Sequence, residues 1–262
     1  MRDLGLQQAI EAAGGVSELA RKIGISQPSV SNWSRIPAER VALIEEITGV
    51  DRALLRPDLF RERHQMAGDI DEIDSARAQE YALLATLLAR APDADLLSRL
   101  AMLRGDASPL GLAHMALAEA AGDADAERVS REFFDLFIGL GRGEVLPYAS
   151  YYLTGFLHDR PLARLRDDLQ ALGIERAEGN TEPEDNAAIL CEIMSAVIGG
   201  AFGAPEGADR RLFEKHMAPW IGRFFADLER AEAAGFYRHV GALGRLFMQI
   251  ETEAFALPYD QA

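Results

Sequence analysis

The chain has 262 residues, 48% hydrophobic and 26% charged, with a formal net charge of −15, an ordinary composition for a globular protein with room for two separate cores. No run approaches the ~18 apolar residues that span a bilayer, and the opening MRDLGLQQAIEAAGG lacks the basic and apolar regions of a secretory signal, so a cytoplasmic protein without membrane insertion is expected. The first 60 residues hold seven basic and eight acidic side chains, which leaves nearly all of the negative excess to the rest, a body that repels phosphate backbones and attracts basic partners.

Almost every segment shows apolar residues recurring at three and four, with Gly and Pro at helix-length intervals and no strand-length alternation, so the fold class is all-α. Leu6 and Ile10 mark a first helix ended by Gly14 and Gly15. In GVSELARKIGISQPSVSNW, Ser17 is a candidate N-cap, Leu19 and Ile23 face inward, and Ala20 is small enough for a second helix to approach. Gly24 permits a left-handed turn, Ser26 caps the next helix with Pro28 in its first turn, and Val30 and Trp33 pack back on the helix before. A further helix is opened by Pro37 and stopped by Gly49. The polar span 61–75, with Met66 at its centre, is the expected linker between a domain at 1–60 and one at 76–262.

The stretch from Leu6 to Phe60 resembles the Cro-like DNA-binding proteins of the YdaS type. That resemblance implies a second helix in the major groove, with Gln27, Pro28, Ser31, Asn32 and Arg35 facing outward. Gln27 and Asn32 suit bidentate contacts to adenine, and Arg21, Lys22, Arg35 and Arg40 suit phosphates. Four cations fall short of the ~6–10 phosphate contacts of many specific binders, so DNA reading would require at least a homodimer. The same pattern also describes a small helical bundle without DNA affinity.

Beyond the linker, Tyr81, Leu84, Leu87 and Leu88 share one helix face ended near Pro92, and a second helix covers Pro109 to Ala121. In AERVSREFFDLFIGLGRG, Phe133, Phe134, Leu136, Phe137 and Leu140 are expected in the core, and Gly139, Gly141 and Gly143 release the chain into LPYASYYL. LARLRDDLQALGI and ILCEIMSAVIGGAF follow as helices, and FEKHMAPWIGRFFADLERA and GFYRHVGALGRLFMQIETEAF are expected as the last two. Cys191, the single cysteine, excludes an internal disulfide and is expected as a small apolar residue on a buried helix face.

EFFDLFIG, LPYASYYL, EPEDN and FEKHMAPWIGRFFADL followed by FYRHVGALGRLF resemble the TorD/DmsD/NarJ family. The resemblance implies an all-helical bundle that acts as a cytoplasmic chaperone, binding a molybdenum enzyme's precursor, often at its twin-arginine signal peptide, until the cofactor is inserted. A leader with a cationic pair before an apolar stretch calls for an apolar groove with carboxylates near one end. By motif position the lining residues are Tyr148, Ser150 and Tyr152 of P-Y-x-S-x-Y, and Glu182, Pro183, Glu184, Asp185 and Asn186 of EPEDN. The family commonly has Glu where Ala149 stands and His where Asn186 stands, and the missing His removes a group that titrates near neutral pH. Two alternatives stay open: Thr181-x-x-Glu184 fits a helix-starting capping box with Pro183 in the first turn, and Tyr148 and Tyr152 suit core packing equally well.

An enzyme is the weakest expectation. His64, His114, His158, His216 and His239 are scattered, and there is no H-E-x-x-H, P-loop, G-x-G-x-x-G or nucleophile elbow. No metal site and no cofactor of the chain's own are therefore expected. A maturation chaperone is the principal expectation, and a DNA-binding regulator whose larger domain senses a peptide or client is the alternative.

Overall fold

The computed structural model describes residues 3–50, 52–56, 72–176 and 181–256. They divide into two compact units, Met1–Asp69 and Ile70–Ala262. The all-α expectation holds: among the described residues there is no strand, only an isolated antiparallel bridge between Tyr148 and Asn186. Met66 and most of the span expected as a linker lie outside the described residues. Residues 72–75 of that span form the first turn of a long helix.

The first unit comprises α1 (Leu4–Ala13), α2 (Val16–Lys22), α3 (Gln27–Ser31), a 3-10 turn (Ala38–Arg40), α4 (Val41–Thr48) and α5 (Arg52–Leu55). Local signals set its boundaries. Asp3 and Ser26 accept N-cap hydrogen bonds from Leu6 N and Ser29 N, and Gly14 and Gly49 end α1 and α4 in left-handed geometry. Gly24, at φ 70°, makes the α2–α3 turn that a residue with a Cβ rarely adopts. Leu6, Leu19, Val30, Ile36, Val41, Ile44 and Leu55 are fully buried, each such aliphatic side chain contributing about 1.5–3 kcal/mol. Ile25 and Trp33 pack against them from the rim.

The second unit is a bundle of α6 (Glu72–Ala89), α7 (Ala94–Leu100), α8 (Pro109–Gly122), α9 (Ala126–Phe133), α10 (Ala149–Thr154), α11 (Arg160–Ala171), α12 (Ala187–Ile198), α13 (Ala208–Leu212), α14 (Ile221–Arg230) and α15 (Tyr237–Ala256). α6 packs along α12, and α15 packs along α14 and α8. Gly241 and Gly244 let α14 and α15 touch: a Cβ at Gly244 would lie 2.2 Å from the Phe225 ring, and one at Gly241 2.5 Å from the Glu229 backbone nitrogen. Arg77 ties α6 to α15 and α13 through Glu251 at 2.8 Å and Asp209 at 3.0 Å, and the Tyr81 hydroxyl donates to the same buried Glu251 at 3.0 Å. These carboxylates raise the Arg77 pKa against the opposing pull of burial, so the guanidinium stays charged.

Four sequence expectations need correction. Ser17 is not an N-cap: Gly15 holds that position, and Ser17 is the second residue of α2. Phe134 and Leu140 are not core residues; they are 39% and 99% exposed, while Leu136 is fully buried. The reason is a π-turn at Phe134–Ile138, closed by Gly139 N–H donating to Phe134 O at 2.7 Å; it breaks the 3.6 register, and Gly139 at φ 62° turns the chain outward before Leu140. FEKHMAPWIGRFFADLERA is not one helix: a second π-turn at Phe213–Met217 and a break at Ala218–Trp220 separate α13 from α14. Pro219 offers no N–H to carry the helix through. Lastly, α12 starts not at a Thr181 capping box but at Ala187, with Asn186 as N-cap accepting from Ala188 N at 2.8 Å.

Candidate functional site

The tyrosine and EPEDN motifs, more than thirty residues apart in the chain, meet as a short backbone ladder. Ala149 N donates to Asp185 O at 3.0 Å, Ala187 N to Pro147 O at 2.8 Å, and Ser150 N to Asp185 Oδ2 at 2.8 Å. Asp185 and Ser150 are 1% and 0% exposed, so they join the motifs from inside and do not face a groove. Pro183 sits in the turn before α12, its carbonyl accepting from Asn186 N at 3.1 Å.

Tyr148, Glu182 and Asn186 form the outward part of the junction. The Tyr148 hydroxyl and Asn186 Nδ2 both donate to Glu182 Oε1, the latter at 3.2 Å. Burial first, and then the Glu182 carboxylate, push the Tyr148 phenol upward, so it remains a donor and holds Glu182 in one orientation. All three line a groove of about 770 Å³ between α6, the first π-turn, Pro147 and α12. Phe137, Ile138, Ala85, Leu88 and Ile189 provide apolar lining, and Ala82, Ala85 and Ala89 leave space along α6.

Glu192 was not singled out from sequence. It lies exposed on α12 in the wall of the same groove, with no hydrogen bond or ion pair among the described residues. Its signal was available: it is the one charged residue in the apolar run AAILCEIMSAVI. Glu132 was missed too. Its carboxylate accepts from Gly235 N at 2.9 Å, Phe236 N at 3.0 Å and Tyr237 N at 2.6 Å, capping α15, and Glu144 likewise accepts from Glu232 N and Ala233 N. Together they hold the α14–α15 connection against the segment that carries the first π-turn.

The remaining expected lining residues point elsewhere. Glu184 is held between Arg166 and Arg176 at 2.8 and 2.7 Å; burial works to raise its pKa, but the two guanidiniums outweigh that and leave it low. The Tyr152 hydroxyl donates to Asp227 at 2.8 Å, and its ring packs on Trp220 and Phe224. Asp185 instead borders a small cavity of about 60 Å³ with Arg164, Lys215 and His216. His216 and Lys215 both contact Asp168 Oδ2 at 2.5 Å. Cys191 is fully buried on α12, and burial alone raises its thiol. Among the described residues no three His, Cys, Asp or Glu side chains are placed to hold a metal ion.

In the first unit, Gln27, Pro28, Asn32 and Arg35 are exposed and Ser31 is half-buried. Gln27 Nε2 donates to Ser31 Oγ at 2.9 Å. Most of the cations have internal partners: Arg21 with Glu18 at 2.6 Å, Arg35 with Asp3 at 3.4 Å, and Lys22 Nζ with Ala13 O at 3.3 Å. Arg40 is half-buried at the start of α4.

A helix-turn-helix unit followed by a helical bundle with an acid-rimmed apolar groove defines a two-part, all-α protein. Residues 6–64 match the family model described as bacterial toxin YdaS, and residues 104–226 the one described as nitrate reductase delta subunit. Chaperone protein TorD of Vibrio cholerae serotype O1 (strain ATCC 39541 / Classical Ogawa 395 / O395) is 29% identical over 136 residues, covering 48% of this chain and 61% of that protein. The TorD of Shewanella loihica is 24% identical over 204 residues, covering 69% of this chain and 93% of the relative. A crystal structure from Archaeoglobus fulgidus, described as a redox enzyme maturation protein, superposes with a TM-score of 0.46 at 19% identity, covering 66% of this chain and 92% of that one. The larger unit is thus similar to the TorD chaperones named here and to the nitrate reductase delta subunit model, and the first unit is similar to the YdaS model. The match spans about 61% of the length of the first of these relatives.

Proposed function

We propose that the larger unit is a cytoplasmic chaperone for the maturation of a molybdenum-containing redox enzyme, of the twin-arginine exported, formate dehydrogenase or DMSO reductase-like kind. It binds the precursor at its leader and holds it until the cofactor is inserted. One observation carries this assignment: a groove of about 770 Å³ with apolar walls, in which Tyr148 and Asn186 orient Glu182 and Glu192 has no ion pair among the described residues. An apolar segment preceded by cations satisfies both features, since its side chains leave water and its charges answer the carboxylates. The relatives named TorD chaperones support the assignment, and no helix among the described residues is long and apolar enough to cross a membrane. The test is capture of a tagged precursor by the full chain, with and without its leader. Retention that depends on the leader is expected; equal retention of both forms overturns the leader as the recognised element.

A second function belongs to the first unit. The exposure of Gln27, Asn32 and Arg35 on and just after α3 supports DNA binding by a homodimer presenting two such helices, with client loading of the larger unit as the regulating input. Asn32→Ala is expected to abolish sequence preference in a mobility-shift titration with the chain's own promoter. No retardation by the unaltered chain, at low salt and high protein concentration, refutes it.

A further inference from the structure

The groove has a neighbour. A second depression of about 430 Å³ lies along α12, and the two share Glu182, Ile189, Glu192 and Ala196. On α12 the shared positions 189, 192 and 196 fall at i, i+3 and i+7, a single helical stripe. The two depressions are therefore the two slopes of one ridge, and the carboxylates of Glu182 and Glu192 stand on it. The far slope has Leu169, Ile174, Ile193 and Phe202 in its wall. Phe202 is 43% exposed, a large ring left partly in water beside a concave apolar surface.

The charges on the far slope decide what fits there. Glu184 is answered by Arg166 and Arg176. Of the other lining groups, Glu175 is exposed and Glu192 is unpaired among the described residues, so the balance is negative and a cation is favoured over an anion.

Building on the leader-binding function above, we infer that the site is bipartite: the bound segment crosses the Glu182–Glu192 ridge with its cations on the ridge and apolar side chains on both slopes. One apolar set enters the groove by Phe137 and Ile138, and the other covers Phe202. The preferred partner is thus a peptide with apolar residues before its cationic pair as well as after it.

The test is calorimetry of the full chain with two synthetic peptides. The first carries two arginines followed by eight apolar residues; the second adds four apolar residues before the arginines. The second is expected to bind about tenfold more tightly, as one further apolar side chain leaving water would produce. Phe202→Ser is expected to bring the second peptide down to the affinity of the first, while Ile138→Ser weakens both. Equal affinity of the two peptides for the unaltered chain, or a Phe202→Ser loss of equal size for both, overturns the bipartite site while leaving the groove assignment standing. Failure of both peptides to bind overturns the groove assignment with it.

Discussion

Replacing Glu182 by Gln isolates the charge of the groove from its architecture. The glutamine keeps an oxygen to accept from the Tyr148 hydroxyl and from Asn186 Nδ2, the two donors that orient the native carboxylate. Little stability should be lost, within about 1 kcal/mol, since neither of these two donors is orphaned. Binding should suffer more. A charge-assisted contact at a half-buried position is worth about 1.5–3 kcal/mol, which corresponds to roughly 10- to 150-fold in Kd. The assay is titration calorimetry with a leader peptide at two ionic strengths, with urea unfolding as the control. Loss of one carboxylate should also flatten the salt dependence, because the remaining apolar contacts are not screened. An unchanged Kd with an unchanged salt response would refute the role of Glu182 as the counter-charge.

Glu132→Ala should destabilise the larger unit by about 2–4 kcal/mol in urea unfolding, because it strips three backbone N–H groups at the start of α15 of a charged acceptor. Leu136→Ala should cost about 2–5 kcal/mol, whereas Leu140→Ser, at a side chain 99% exposed, should stay within about 0.5 kcal/mol; similar losses for the two would contradict the π-turn at Phe134–Ile138 and the outward turn at Gly139. The His114 ring donates Nε2–H to the Glu80 carboxylate at 2.9 Å, and that contact raises its pKa above the usual 6.5 despite burial. Its contribution is complete below that value and fades as pH rises through the higher folded value, so the stability gap between the native chain and His114→Gln should narrow from acidic toward alkaline pH. His216 runs the other way: burial lowers it against Asp168, so the unfolded chain takes up its proton first and stability falls as pH drops below about 6.5.

Much of this fold was written locally. Ser26, Gly24 and Gly49 each act on their own neighbours, so α2, α3 and α4 were legible as soon as caps and turns were considered. The buried face of α6, with Tyr81, Leu84, Leu87 and Leu88, followed from spacing alone. What escaped depends on interactions between distant segments. A π-turn is not announced by composition, so Phe134 and Leu140 were assigned to a face that the real backbone rotates away. Glu132 looks like one more surface acid until α15 brings three amide groups to it. The candidate site was half visible: the two motifs do meet, but Asp185 and Ser150 hold the meeting together, Glu184 and Tyr152 are tied to Arg166, Arg176 and Asp227, and of the expected residues only Tyr148, Glu182 and Asn186 reach the groove. Glu192 comes from a stretch that family resemblance did not mark, and its place beside Glu182 appears only when α12 is folded against α6.

The most direct measurement is a calorimetric titration of the full chain with the leader of a redox-enzyme precursor from the same organism, set beside the same leader with its arginine pair changed to glutamine. Saturable binding of the native leader, at least tenfold tighter than the altered one, is the predicted result. No saturation by either leader, together with no association of the intact precursor, would contradict the account.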